Sequence, residues 1–405
     1  MTYIIIADNF KQYFYYKDIG DTVNLLHDLV CRRIDFSFVK LYSYSHNYQK
    51  ELIMKLAPIF SIGALAAVSL FGCSNQSDNT TNGSSATSQE TTVLRFSHFW
   101  PATSSISTEV FEPWAKQIET DSNGRLKVEL YPSAGLAKAD VTYESAAKGT
   151  IDIGSQAHGY TNGRFPLTQI TELPGLSNSA TQMGCMLQTL YDDGTLASEY
   201  EDTHMLFMYG AGPGSLHTTD KLIRTPEDMK GMRIRRPSAV AGDIIESAGA
   251  SPVGLPANDM YTSLQRGVVD GLSFPWEAVT AFKIDEITKY HTNIPFYSSA
   301  LMVTMNKDKY EGLPDDLKQV LDKNSGMALA NKVGEVFDKH DQMAIQAAKD
   351  KGDEIIEIPD PLNDPDWKGP LEKGTKKYLN DVNALGLDAN GVYEKAKAAS
   401  AACKV

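Results

Sequence analysis

Val93-Leu94-Arg95-Phe96-Ser97 reads as a strand, residues 107–121 as a helix, and Leu126-Lys127-Val128-Glu129-Leu130-Tyr131, closed by Pro132, as a second strand. The helix is marked by Val110, Phe111, Trp114 and Ile118, whose spacing puts them on one face. A helix around 141–148 and a third strand, Ile151-Asp152-Ile153-Gly154, follow. Strand, helix, strand, helix, strand predicts a parallel sheet of the α/β class. Loops at the carboxyl ends of such strands are where open sheets bind ligands. His98, Phe99 and Trp100 follow the first strand, and Gln156, His158 and Tyr160 follow the third, so both sets are expected on one edge.

A second α/β pattern begins near Thr225. Lys230-Gly231-Met232-Arg233-Ile234-Arg235-Arg236-Pro237 is a basic strand running into a loop, where Arg235 can present a fork of donors to a carboxylate. That is the chemistry of a binding site; no nucleophile or acid/base pair stands beside it. A helix over 239–248 comes next, and Pro252-Val253 are expected to start a loop into another helix opened by Asn258. Residues 267–277 read as a strand ending in the loop Phe274-Pro275-Trp276-Glu277. The stretch 293–305 is extended and apolar, fit to cross back to the first pattern, and 315–351 holds no proline and keeps helical spacing. One long helix or two abutting ones is expected there.

Upstream of these patterns, residues 54–73 have a cationic start and an apolar run too short and too rich in small residues for a good membrane span. Leu70, Gly72 and Cys73 resemble the cleavage and lipidation site of a bacterial lipoprotein signal, with Phe71 bulkier than usual between them. Residues 74–92 are polar and rich in Ser, Thr, Asn and Gly, the composition of a flexible tether. Residues 1–53 hold seven of the chain's 19 tyrosines and precede the methionine at which a signal would start, which points to a start site assigned too far upstream. Of the remaining cysteines, Cys185 and Cys403 could pair in an oxidising compartment, but no spacing favours it and unpaired structural roles are expected; no spacing resembles a zinc site. The net charge of −13 over 405 residues argues against a nucleic-acid partner.

Ser97-His98-Phe99, Trp114-Ala115-Lys116, Asn123-Gly124-Arg125-Leu126, Tyr131-Pro132, Asp152-Ile153-Gly154, the run from Pro226 to Arg235, and Leu264 to Gly271 together resemble the DctP-type solute receptors of tripartite ATP-independent periplasmic (TRAP) transporters. The resemblance spans 93 to about 351, in family order. It implies a two-lobe clamp like that of periplasmic binding proteins, with crossing strands and a long connecting helix. Residues 93–217 with about 304–345 would form lobe I, and 218–303 with about 346–405 lobe II. It also implies two transporter membrane subunits as partners and uptake driven by an ion gradient rather than by ATP; no enzymatic activity, cofactor or dedicated metal site is expected. The expected location is the periplasmic or cell-surface side, with a lipid anchor. In the family motif the clamping arginine falls on Arg235, while Arg233 takes the place of a lysine and faces away. Where many relatives that bind acidic sugars or dicarboxylates carry an asparagine, this chain has Phe274, and no second arginine lies in 210–217. A monocarboxylate with an apolar or aromatic body then suits Trp100, Phe274 and Trp276. Glu277, expected across the cleft from Arg235, would meet an ammonium or hydroxyl group of the ligand or share a cation with its carboxylate; its alternative is a surface or helix-start carboxylate. His98, Gln156, His158, Tyr160 and Asn258 complete the expected lining. A tethered sensor with the same clamp is the alternative function. An α/β enzyme is the weaker one, since Gly210 to Gly214 makes a poor dinucleotide loop with Pro213 inside it.

Overall fold

The computed structural model describes residues 91–403, together with the backbone of three upstream segments. Those segments, Thr2–Ala7 (β1), Gln12–Tyr16 (β2) and Val39–Tyr44 (β3), pair antiparallel in the order β2-β1-β3 and belong to a unit of their own, residues 1–84. The signal segment, Cys73 and nearly all of the tether lie outside the described residues.

The main unit holds two sheets. Thr92–His98 (β4), Leu126–Tyr131 (β5) and Ile153–Ala157 (β6) are parallel, with β4 central, as the alternation of apolar strands and amphipathic helices requires. Helix α1, Glu112–Asp121, follows a turn of wider π-helix at Ile106–Phe111 and buries Trp114 and Ile118 as predicted; α2 is Thr142–Ala147. The sheet is mixed, however. Two further strands, Thr203–Pro213 (β7) and Ser298–Asn306 (β13), extend it antiparallel in the order β5-β4-β6-β13-β7. Helix α3, Ala180–Asp192, packs on β7.

The second sheet has the order β10-β9-β11-β8-β12-β14. Its members are Ser215–Thr218 (β8), Arg233–Arg236 (β9), Ser251–Gly254 (β10), Gly271–Phe274 (β11), Tyr290–Asn293 (β12) and Glu354–Glu357 (β14). Pro252-Val253, read from sequence as a loop start, is part of strand β10: it sits on the sheet edge, where a proline's missing N–H costs little. Helices α4 (Ala239–Ser247), α5 (Met260–Gln265) and α6 (Trp276–Ala281) belong to this half.

The chain crosses between sheets by short connections at Gly214 and between Asn293 and Ser298, and a third time through the helices that lead from β13 to β14; the two short crossings touch, Gly214 N–H donating to the Tyr297 carbonyl at 2.8 Å. These points precede the boundaries expected at 217 and 303, so β8 belongs wholly to lobe II and β13 wholly to lobe I. A Cβ on Gly214 would lie 2.0 Å from the Tyr297 ring, which is why this position must be bare.

After the short helix α7 (Lys307–Glu311), two abutting helices occupy the proline-free stretch, Asp315–Lys323 (α8) and Met327–Lys351 (α9). At 25 residues α9 is about 37 Å long. Val333, Val336 and Phe337 bury its first half against lobe I, and Ala344 and Ala348 pack on Trp276 of lobe II. It is therefore the spine both lobes share. Lys368–Ala384 (α10) packs on α4, but Ala389–Ala402 (α11) returns to α3 of lobe I, and Cys185 and Cys403 form a disulfide there with Cα atoms 5.8 Å apart. The expectation of unpaired cysteines is thus corrected. Their separation of 218 residues hides a contact that only the return of the last helix creates.

Candidate functional site

Strand β9 carries alternate side chains to opposite faces, yet Arg233 and Arg235, in phase with each other, have different fates. Arg233 lies at the exposed end and pairs with Asp270, Nη2 to Oδ1 at 2.6 Å. Two residues on, Arg235 is fully buried. Its Nε donates to the Leu255 carbonyl at 2.9 Å and its Nη1 to the Ser273 carbonyl at 3.1 Å, which lock the guanidinium plane. The guanidinium carbon sits 5.1 Å from the centre of the Phe274 ring. Nη2 makes no sound hydrogen bond to any protein group, and no carboxylate among the described residues pairs with this cation. A buried charge without a counter-charge is costly unless a ligand completes it.

Around this cation the chain supplies an aromatic wall. Phe274 packs on Phe282 at 5.8 Å, Phe282 on Trp100 at 5.6 Å, and Trp100 on Phe99 at 4.6 Å between ring centres. Trp100 is also fixed by Phe337 of α9 and by donating its indole N–H to the Tyr209 hydroxyl at 3.1 Å. Tyr160 stands edge-on to Phe99, accepts the Ala257 N–H at 3.2 Å, and has its hydroxyl beside the Arg235 guanidinium; burial nevertheless raises that phenol above its ordinary range.

Three hydrogen bonds join the lobes here: Asn258 Nδ2 to the Phe99 carbonyl at 3.0 Å, Ala257 N–H to Tyr160, and Ala239 N–H to Gln169 Oε1 at 3.2 Å. A Cβ on Gly159 would lie 2.4 Å from both the Pro237 carbonyl oxygen and Ser238 Cβ, so the clamp is shut at this rim. Beside it a cavity of about 230 Å³ is lined by Gly159, Tyr160, Arg236, Pro237 and Leu255, among others.

The structure therefore brings Arg235, Tyr160, Asn258, Phe274 and Trp100 together, and gives other expected residues different work. Gln156 is spent on the Tyr143 N–H (2.7 Å) and the Thr161 hydroxyl (2.6 Å). His98 packs against Phe96 and Phe111, and His158 edge-on to Phe165 and Tyr200; burial lowers each imidazole to about 4, so both are neutral at physiological pH. Trp276 lies in the hinge instead, edge-on to His217 at 4.9 Å and donating to Asn293 Oδ1 at 2.9 Å.

Glu277 does not face Arg235. It is buried at the hinge, where Oε1 accepts from Ser105 of lobe I at 2.6 Å and its backbone N–H donates to Asp341 of α9 at 2.5 Å. Burial raises the Glu277 carboxyl to about 7 and Asp341 well above the carboxylate range. Glu277 lies only three residues past Phe274, which packs on Arg235. Pro275 turns the chain there, and Glu277 enters α6 on the side facing α9.

Two polar residues escaped the sequence reading. Glu172, at the end of the 3-10 turn Thr168–Glu172, is buried with Oε1 accepting the Ala300 N–H at 3.0 Å and Oε2 unpartnered. Tyr297, at the second crossing, is buried with an unpartnered hydroxyl. Glu172 lies on a 3-10 turn and Tyr297 in the connection between β12 and β13, within the stretch 293–305 whose extended apolar reading carries no polar signal.

Comparison with known proteins shows the family and the two-lobe fold. The family model described as DctP, bacterial extracellular solute-binding protein, family 7, matches residues 96–380. A TRAP solute binding protein of an unidentified marine microbe, described as specific for aromatic acid ligands and solved with 3-hydroxybenzoate, is 33% identical. The match covers 78% of this chain and 100% of that one with a TM-score of 0.74. A TRAP solute binding protein from Rhodoferax ferrireducens, solved with copurified benzoate, is 30% identical over 77% of this chain and 98% of its own, also at 0.74. A curated solute-binding protein of Albidiferax ferrireducens is 28% identical over 57% of this chain and 71% of its own length.

Proposed function

As a member of the DctP-type family 7 of bacterial extracellular solute-binding proteins, this chain is a solute receptor of the TRAP type, and we propose that its solute is a small aromatic monocarboxylate held by Arg235. The observation that carries this reading is the buried guanidinium itself, locked by two backbone carbonyls, lacking a counter-charge and lying against Phe274. A ligand carboxylate supplies the missing charge through Nη2, and the ring attached to it fits the wall of Phe274, Phe99, Trp100 and Phe282. The two similar structures solved with benzoate and 3-hydroxybenzoate support the same class. Opening of the lobes breaks the rim hydrogen bonds and hands the acid to the membrane subunits. Titration calorimetry of the purified protein with benzoate and 3-hydroxybenzoate tests this. We expect saturable binding and a loss of about a hundredfold or more in Arg235→Ala, since a desolvated charge-assisted pair disappears. No binding of either acid, or an Arg235→Ala affinity within a few-fold of the parent, would remove the proposal.

We further propose that the receptor is tethered through lipid on Cys73. The run ending Leu70-Phe71-Gly72-Cys73 supports this, and the disulfide between Cys185 and Cys403 suits an oxidising compartment. Cys73→Ser should move the protein from the membrane fraction to the soluble one; retention in the membrane fraction argues against the anchor.

A further inference from the structure

We propose that Glu172 and Tyr297 form a second polar subsite beside Arg235 that holds a hydroxyl group on the ring of the bound acid, an inference that rests on Arg235 being the carboxylate clamp. Glu172 is 1% exposed and Tyr297 2%, yet Glu172 Oε2 and the Tyr297 hydroxyl join Arg235 Nη2 as buried polar atoms outside good hydrogen-bond geometry, with the Ser238, Ser273 and Tyr160 hydroxyls as their polar neighbours. Each such atom costs on the order of 1–3 kcal/mol when left unpaired. They come from three different elements: a 3-10 turn of lobe I, the second crossing segment and strand β9 of lobe II.

Chain connections bring these elements to one place. The Ala300 N–H that holds Glu172 Oε1 lies three residues beyond Tyr297, so one segment carries both the phenol and the anchor of the acid. Gln169, on the same turn as Glu172, accepts the N–H of Ala239 at the start of α4, and neighbouring Ser238 reaches the Glu172 carboxyl. Ser238 is only three residues past Arg235. Tyr297 feels both charges: Arg235 draws its phenol downward and Glu172 pushes it upward, while burial dominates and raises it overall.

The donor chemistry then selects the ligand group. Burial raises the Glu172 carboxyl to about 7, so a neutral, proton-donating form is accessible near neutrality. An ionised carboxylate would repel the ligand's own, whereas a neutral acid can donate a hydrogen bond. Beside a phenol that both donates and accepts, the pair matches a hydroxyl group, which also does both. A hydroxylated aromatic monocarboxylate satisfies all three orphaned atoms; the unsubstituted acid satisfies only the one on Arg235.

The test compares 3-hydroxybenzoate with benzoate by calorimetry on the full chain and on Glu172→Met, Glu172→Gln and Tyr297→Phe. The parent should prefer 3-hydroxybenzoate by about tenfold. Glu172→Met and Tyr297→Phe should each erase most of that preference while leaving benzoate affinity within about threefold, and Glu172→Gln, which keeps an acceptor and a donor, should retain it. Equal affinities in the parent, or a preference unchanged in both Tyr297→Phe and the Glu172 variants, overturns the subsite while leaving the Arg235 clamp standing. Loss of both acids in the parent overturns the clamp and the subsite with it. Should Glu172→Met fail to fold, Tyr297→Phe and Glu172→Gln still decide, because they preserve the local shape.

Discussion

Arg235 and Glu277 show what burial does to a charge when its partners differ. Arg235 is buried with no carboxylate partner among the described residues, whereas Glu277 answers burial by holding its proton. Its native carboxyl titrates at about 7, against 4.5 ordinarily, so the folded state binds a proton that the unfolded state has released between those values. Glu277 therefore contributes stability fully below about pH 4.5 and loses it as pH rises through 7. The shift corresponds to at most about 3 kcal/mol. Glu277→Gln, which still accepts from Ser105 but never ionises, should gain on the parent as pH rises. In urea unfolding at pH 5 and pH 8, the difference between variant and parent should be larger at pH 8. An identical difference at both values would mean that Glu277 does not titrate in the fold. Arg235 was legible from sequence because a basic strand running into a proline loop is a local pattern. The place of Glu277 was not, because it depends on which way Pro275 turns the chain toward α9.

Among the elements, α9 and α11 decide how the halves hold together. Apolar spacing from Ala330 to Ala348 announced a long helix, and the break at Gly326, with φ of 70°, divides it from α8 where a side chain would be strained. Helix α11 gave no comparable sign of its destination: its apolar face of Ala389, Val392, Ala396 and Ala399 would fit either lobe. The disulfide from Cys403 to Cys185 records the choice, fixing α11 on α3. Closing a loop of 218 residues should stabilise the fold by as much as about 5 kcal/mol, chiefly by restricting the unfolded chain. Replacing both cysteines by serine should therefore lower the thermal midpoint markedly while leaving benzoate affinity little changed, since neither cysteine reaches the cleft. A midpoint that does not move would show the bridge to be thermodynamically idle.

Across the whole molecule, function depends on lobes that can meet at the rim and part again. Gly159 lies where lobe I touches Pro237 and Ser238 of lobe II, and its missing side chain is a condition of closure, since φ there is not in the left-handed region. Gly159→Leu should leave each lobe folded but prop the clamp open. Benzoate affinity should fall by at least about tenfold, because the closed, binding state is depopulated, and small-angle scattering should show no compaction when benzoate is added. Compaction equal to that of the parent would show that the rim tolerates the side chain.

By itself the sequence determined the α/β class, the strands β4, β5, β6 and β9, the long helix and the place of Arg235 on its basic strand, because each is written in local spacing of apolar or charged residues. Tertiary structure alone decided the rest. Two antiparallel strands complete the first sheet through a second crossing at residues 294–297, and Cys185 finds Cys403 across most of the chain. Trp276 and Glu277 turn into the hinge, and Glu172 and Tyr297 converge near Arg235. Those outcomes depend on contacts between residues far apart in the chain, for which neighbouring residues carry no periodic signal.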